Sequence, residues 1–97
     1  MKSTEFIVQR LRLLSTDFKE IYFSYSYHSQ YSIHKILVSS KDVYNSPSYI
    51  ESELNLYLNF IEEYPDDMLL FISEDDYYIP FENPTHTVFA GEVIMND

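Results

Sequence analysis

Two hydrophobic periods alternate along this 97-residue chain, and the switches between them mark out its elements. Residues 4–15 carry Ile7, Leu11 and Leu14 on one stripe, extended toward Phe18, with Gln9 and Arg12 off it. That spacing predicts an amphipathic helix, with Ser3 as its N-cap and Glu5 in its first turn. Ser15-Thr16-Asp17 breaks the pattern. From 20 to 27 the period drops to two: Ile21, Phe23, Tyr25 and Tyr27 alternate with Tyr22, Ser24, Ser26 and His28. A strand with one aromatic face and one mainly hydroxyl face follows from this. The stretch 28–31 lacks a tight-turn dipeptide, so a looser connection leads to a second strand over 32–39. There Ile36 and Val38 share one face, and Ile33, Lys35 and Leu37 share the other, which is expected to be only partly buried.

Helical spacing returns at 48–64 with Ile50, Leu54, Tyr57 or Leu58, and Ile61. Two starts fit: Ser46 capping with Pro47 in the first helical position, or a Ser48–Glu51 capping box. Pro65 disfavours helical backbone in the residue before it, so the helix ends near Tyr64. Met68 to Ile72 is apolar throughout, the pattern of a short strand covered on both faces. Beyond it, 77–81 reads as a short edge strand, Asn83-Pro84 as a turn and 85–94 as a last strand, with Gly91 marking a bulge. This order predicts a single α+β domain spanning residues 1–97. It would be a two-layer α-β-β-α-β-β sandwich with helices packed on one mainly antiparallel sheet. The expected core is Leu11, Leu14, Phe23, Leu54, Leu58, Ile61, Leu70 and Ile72.

Composition fits this picture of a packed domain. The chain is 45% apolar, with ten Tyr and seven Phe but one Gly and no Trp. It has no Cys, which excludes disulfides, thiolate metal sites and cysteine nucleophiles. A single glycine excludes the phosphate-binding and dinucleotide-binding loops, and no G-x-S-x-G elbow is present. Lys2 is followed by too short an apolar run for a secretory signal, so a cytoplasmic location is expected. The longest aliphatic and aromatic run, Met68 to Ile72, is far too short to span a bilayer.

Charge adds the strongest functional hint. All six Lys and Arg lie at or before Lys41. Three of the 16 carboxylates (Glu5, Asp17, Glu20) also precede it, and the other 13 follow with no basic residue among them. Such a field repels itself and attracts cations. Glu62, Glu63, Asp66 and Asp67 close the second helix, and Glu74, Asp75 and Asp76 follow the next strand. Exposed acids at a helix C-terminus oppose its dipole at about 0.3–1 kcal/mol each, so stability alone would place Lys or Arg there.

The reading that follows is a binding protein, not an enzyme. Glu62, Glu63, Asp66, Asp67, Glu74, Asp75, Asp76, Tyr77 and Tyr78 form the expected face for a basic protein partner, with Tyr64 a further candidate anchor. An inhibitor or immunity protein on the cationic site of a nucleic-acid enzyme would use this physics. A DNA mimic is a second version. A metal-dependent hydrolase built on Glu74, Asp75, Asp76, Glu82 and His86 is the alternative from another class, but their spacing matches neither a calcium loop nor a paired-histidine zinc motif. No catalytic residue, metal site or cofactor is assigned. Direct nucleic-acid or membrane contact is not expected, and Arg10, Arg12 and Lys19 could answer the acidic half of the same molecule or of a second copy.

Overall fold

A computed structural model describes residues 1–39, 46–73, 81 and 83–96. The elements run α1 (Lys2–Asp17), β1 (Tyr22–His28), β2 (Ile33–Ser39), α2 (Pro47–Glu63), β3 (Met68–Ser73), β4 (His86–Phe89) and β5 (Glu92–Met95). The five strands form one sheet in the order β3-β2-β1-β4-β5. Every neighbouring pair is antiparallel except β2 and β3. A parallel pair needs a crossover long enough to return the chain to the same end. The segment containing α2 supplies it.

Both helices pack on one face of this mixed sheet, giving the expected α+β sandwich. The core joins Ile7, Val8, Leu11 and Leu14 of α1 to Tyr49, Leu56 and Phe60 of α2 and to the inward residues of the strands. Alternation decides which strand residues those are: Phe23 and Tyr25 of β1, Ile36 and Val38 of β2, Leu69 of β3 and Val88 of β4. On the opposite side of β2, Ile33, Lys35 and Leu37 are all half-buried, as their spacing implied.

Several expectations change. Ser3 is not a cap: α1 begins two residues earlier with Met1 at its N-cap, and Ser3 is buried inside the first turn. At α2 the Ser46 alternative holds, its Oγ accepting from the Tyr49 N–H at 3.3 Å with Pro47 in the first turn. The last strand is two strands. Ala90 and Gly91 both have positive φ (50° and 81°), the geometry of a two-residue hairpin, and Phe89 pairs with Glu92 across it. Gly91 is therefore a turn residue and not a bulge. Its N–H donates to the buried Ser15 Oγ at 2.7 Å, pinning the hairpin to the end of α1. A side chain there would meet Thr16 Cγ2 at 2.9 Å. Met68, expected to be covered, is 60% exposed, and Leu70 is only half-buried because β3 is an edge strand. Most of the expected 77–81 strand lies outside the described residues.

The largest correction concerns α2. Leu11, Leu14, Phe23 and Ile72 are buried as expected, but Leu54, Leu58 and Ile61 are not. The helix instead turns Tyr49, Leu56 and Phe60 onto the sheet. Those aromatic rings find matched partners. Tyr49 meets Phe18 edge-on at 5.3 Å and stacks on Phe23 at 6.4 Å, while Phe60 packs on Phe6 at 6.1 Å and Tyr64 at 5.4 Å. Aromatic residues bury more area than leucine and gain further from such pairing, so the aromatic stripe takes the core position.

Candidate functional site

The acidic end of α2 is built by a helix stop followed by a tight turn. Tyr64 leaves helical backbone before Pro65, its N–H still donating to the Phe60 carbonyl. The Asp67 N–H then donates to the Tyr64 carbonyl at 3.2 Å, and the Met68 N–H to Ser32 at 2.9 Å, which starts β3 beside β2. Glu62, Glu63 and Asp66 are exposed, and none of the three makes an ion pair among the described residues. No basic residue occupies the last turn of α2. Tyr64 is not a free anchor, because its ring lies half-buried against Phe6 and Phe60. Arg10 does not turn to the acids but lies over the Phe6 ring, 5.5 Å from its centroid.

Asp67 turns inward. Its Oδ2 lies 2.8 Å from Nε2 of His34, which is fully buried on β2. His34 Nδ1 lies 2.6 Å from the Tyr25 hydroxyl, and that oxygen lies 2.9 Å from Thr4 Oγ1. The chemistry of the groups orders the protons. A carboxylate only accepts, so His34 donates from Nε2 and the neutral ring accepts at Nδ1 from Tyr25, which in turn accepts from Thr4. Burial pushes the His34 pKa down against the opposing pull of Asp67, which keeps the ring neutral. Burial also pushes the Tyr25 pKa up to about 12. The chain Thr4–Tyr25–His34–Asp67 resembles a proton relay, but Tyr25 is 1% exposed and His34 is sealed. Its role is to tie α1, the sheet and the turn after α2 together. Sequence parity held the signal, since His34 shares its face with Ile36 and Val38, yet nothing linked it to Asp67, 33 residues away.

Of the remaining expected residues, Glu74, Asp75, Asp76, Tyr77, Tyr78 and Glu82 lie outside the described residues. His86, the one described member of the alternative hydrolase set, bonds through Nδ1 to Thr85 Oγ1 at 2.8 Å. Among the described residues no three His, Asp or Glu side chains converge on a metal-sized site. No described helix is long and apolar enough to cross a membrane.

A feature that sequence reasoning assigned to the core lies instead on the surface. Ile50, Leu54, Tyr57, Leu58 and Ile61 form a stripe along α2 in which each residue is at least 36% exposed, Leu54 reaching 52%. Glu51 stands three residues before Leu54, and Glu62 four after Leu58, both neighbouring positions on a helix surface. On the core side of the stripe, Glu53 is half-buried. Burial pushes its carboxyl pKa up, and the Tyr49 hydroxyl beside it acts the other way.

No family model, curated protein or solved structure matches this chain.

Proposed function

We propose that this protein binds a basic protein partner through the acidic surface at the end of α2, as an inhibitor or immunity protein would. The observation that carries this reading is the exposure of Glu62, Glu63 and Asp66 at the negative end of a helix dipole, with no cation to neutralise them among the described residues. Such an arrangement costs stability, so its retention needs another reason. A cationic partner gives one, because opposite potentials speed association and discriminate against acidic competitors. In sequence Glu74, Asp75, Asp76, Tyr77 and Tyr78 extend the same acidic half, which has no Lys or Arg after Lys41.

The test begins with capture of host proteins on the immobilised chain and elution by salt. Association kinetics of the identified partner are then compared with those of a Glu62→Gln/Glu63→Gln/Asp66→Asn variant. The association rate should fall several-fold at low salt, and its salt dependence should flatten. An association rate unchanged in the variant would remove this proposal and leave the acids as a solubility feature.

A further inference from the structure

The outer face of α2 raises a question that the acids alone do not answer. Its apolar residues fall on two stripes, and the sheet uses only one of them. The unused stripe runs from Ile50 to Ile61, about 16 Å along the helix at 1.5 Å per residue. Its members are large and aliphatic or aromatic, and they are contiguous rather than scattered. Ile50, Leu54 and Leu58 form an i, i+4, i+8 ridge, the kind that fits the groove of a second helix. Exposing such a row to water gains nothing for the free fold.

Charge narrows the choice of occupant. The ridge is flanked by Glu51 and Glu62, and Glu63 and Asp66 lie close by in sequence, with no basic residue after Lys41. A second copy laid α2 against α2 would set these acids against their own equivalents. A second copy presenting the basic α1 would offer Arg10 and Arg12, but α1 exposes only Leu13 as a large apolar residue after Met1. A helix carrying both an apolar face and a cationic rim satisfies ridge and flank together.

From this we infer that the outer face of α2 is a docking ridge for a cationic amphipathic helix of a partner protein, centred on Leu54 and Leu58. The inference rests on the acidic-surface reading above and deepens it. Acids steer and orient the partner, while the ridge supplies the desolvated contact that holds it.

The test uses the full chain and three synthetic peptides of equal length: an amphipathic leucine–lysine helix, its leucine–glutamate counterpart and a lysine–serine peptide matching the first in charge. Binding is followed by fluorescence anisotropy at physiological salt, and sedimentation velocity reports the state of the protein alone. Circular dichroism confirms that Leu54→Ser/Leu58→Ser and Glu51→Gln/Glu62→Gln remain folded, as exposed substitutions should. The leucine–lysine peptide should bind at least tenfold tighter than the lysine–serine peptide, and the leucine–glutamate peptide should not bind. Leu54→Ser/Leu58→Ser should weaken leucine–lysine binding at least tenfold, and Glu51→Gln/Glu62→Gln several-fold. If the leucine pair has no effect while neutralising acids weakens binding, the ridge is refuted and the acidic-surface proposal stands. If the peptide does not bind, or neither variant changes its binding, the ridge is refuted. A dimer abolished by Leu54→Ser/Leu58→Ser would overturn the inference in favour of a second copy.

Discussion

The two helices lie on the same face of the same sheet, yet they use their hydrophobic residues in opposite ways. In α1 the stripe that stands out in sequence, Ile7, Leu11 and Leu14, is the stripe that packs. In α2 the corresponding stripe, Ile50, Leu54, Leu58 and Ile61, faces outward. The buried residues Tyr49, Leu56 and Phe60 are centred roughly 120° around the helix from it, at about 100° per residue. The difference lies in what else each helix carries. Across from its stripe α1 has Glu5, Gln9, Arg12 and Thr16, so only one face can be buried. In α2 a second apolar stripe competes, and aromatic partners waiting on α1 and β1 decide the contest. A helix with two apolar stripes and one sheet has one stripe left over. That surplus is better evidence for a partner than the charge count, because acids keep a protein soluble and exposed leucines do not.

Stability measurements can break this comparison. Phe60→Ala should cost about 3–5 kcal/mol and Leu11→Ala about 2–5 kcal/mol, the usual ranges for emptying buried sites. Leu54→Ala and Leu58→Ala should each cost under about 1 kcal/mol, as substitutions outside the core do. Urea unfolding of the four variants gives the ranking. A loss of 2 kcal/mol or more at Leu58 would put the ridge in the core and dissolve the contrast between the helices.

The polar seam that ties α1 and the sheet to the turn after α2 sharpens the comparison next. His34→Leu leaves the Tyr25 hydroxyl and the Asp67 carboxylate without their shared partner, at an expected cost of about 1–3 kcal/mol near pH 7.5. Because burial lowers the folded-state pKa of His34, the unfolded chain takes up the proton first as pH falls. The contribution of His34 is therefore fully present above its ordinary pKa of 6.5 and is lost as pH drops through the lowered folded value. His86 shifts the same way, so the readout is the gap between wild type and His34→Leu, which should narrow with acidification. A gap that widened would mean the ring is charged in the folded state.

A smaller effect belongs to the inner edge of the α2 ridge. The Glu53 pKa is raised by burial, so its ionised form opposes folding. Any stability it contributes is present below its ordinary pKa of 4.5 and is lost as pH rises through the folded value. Glu53→Gln should raise the melting temperature at pH 7, and the gain should vanish below about pH 4.5. Thermal melts of wild type and Glu53→Gln at the two pH values test this.

Much of the fold was legible because local chemistry and packing agree. Period-two residues in β1 and β2, the Pro65 stop of α2 and the α1 stripe each point one way, whereas Ser46 and Ser48 both fit as the start of α2. Disagreement appears where a decision depends on distant residues. Ala90-Gly91 reads as strand interior until the paired Phe89 and Glu92 show a turn. Tyr49 and Phe60 look peripheral until Phe18, Phe23 and Phe6 are placed beside them. His34 and Asp67 are adjacent only because β2 and β3 run parallel, a pairing that neither segment specifies alone. In the candidate site the acids were visible in sequence as charge. The leucines beside them were visible too, but were assigned to the interior.

Methyl-resolved NMR of the isotope-labelled chain, titrated with the leucine–lysine peptide, tests the central claim most directly because it reads both helices in one spectrum. The methyl groups of Ile50, Leu54, Leu58 and Ile61 should shift together on binding, while those of Ile7, Leu11 and Leu14 stay fixed. Shifts confined to residues outside α2, or equal in the two helices, would contradict it.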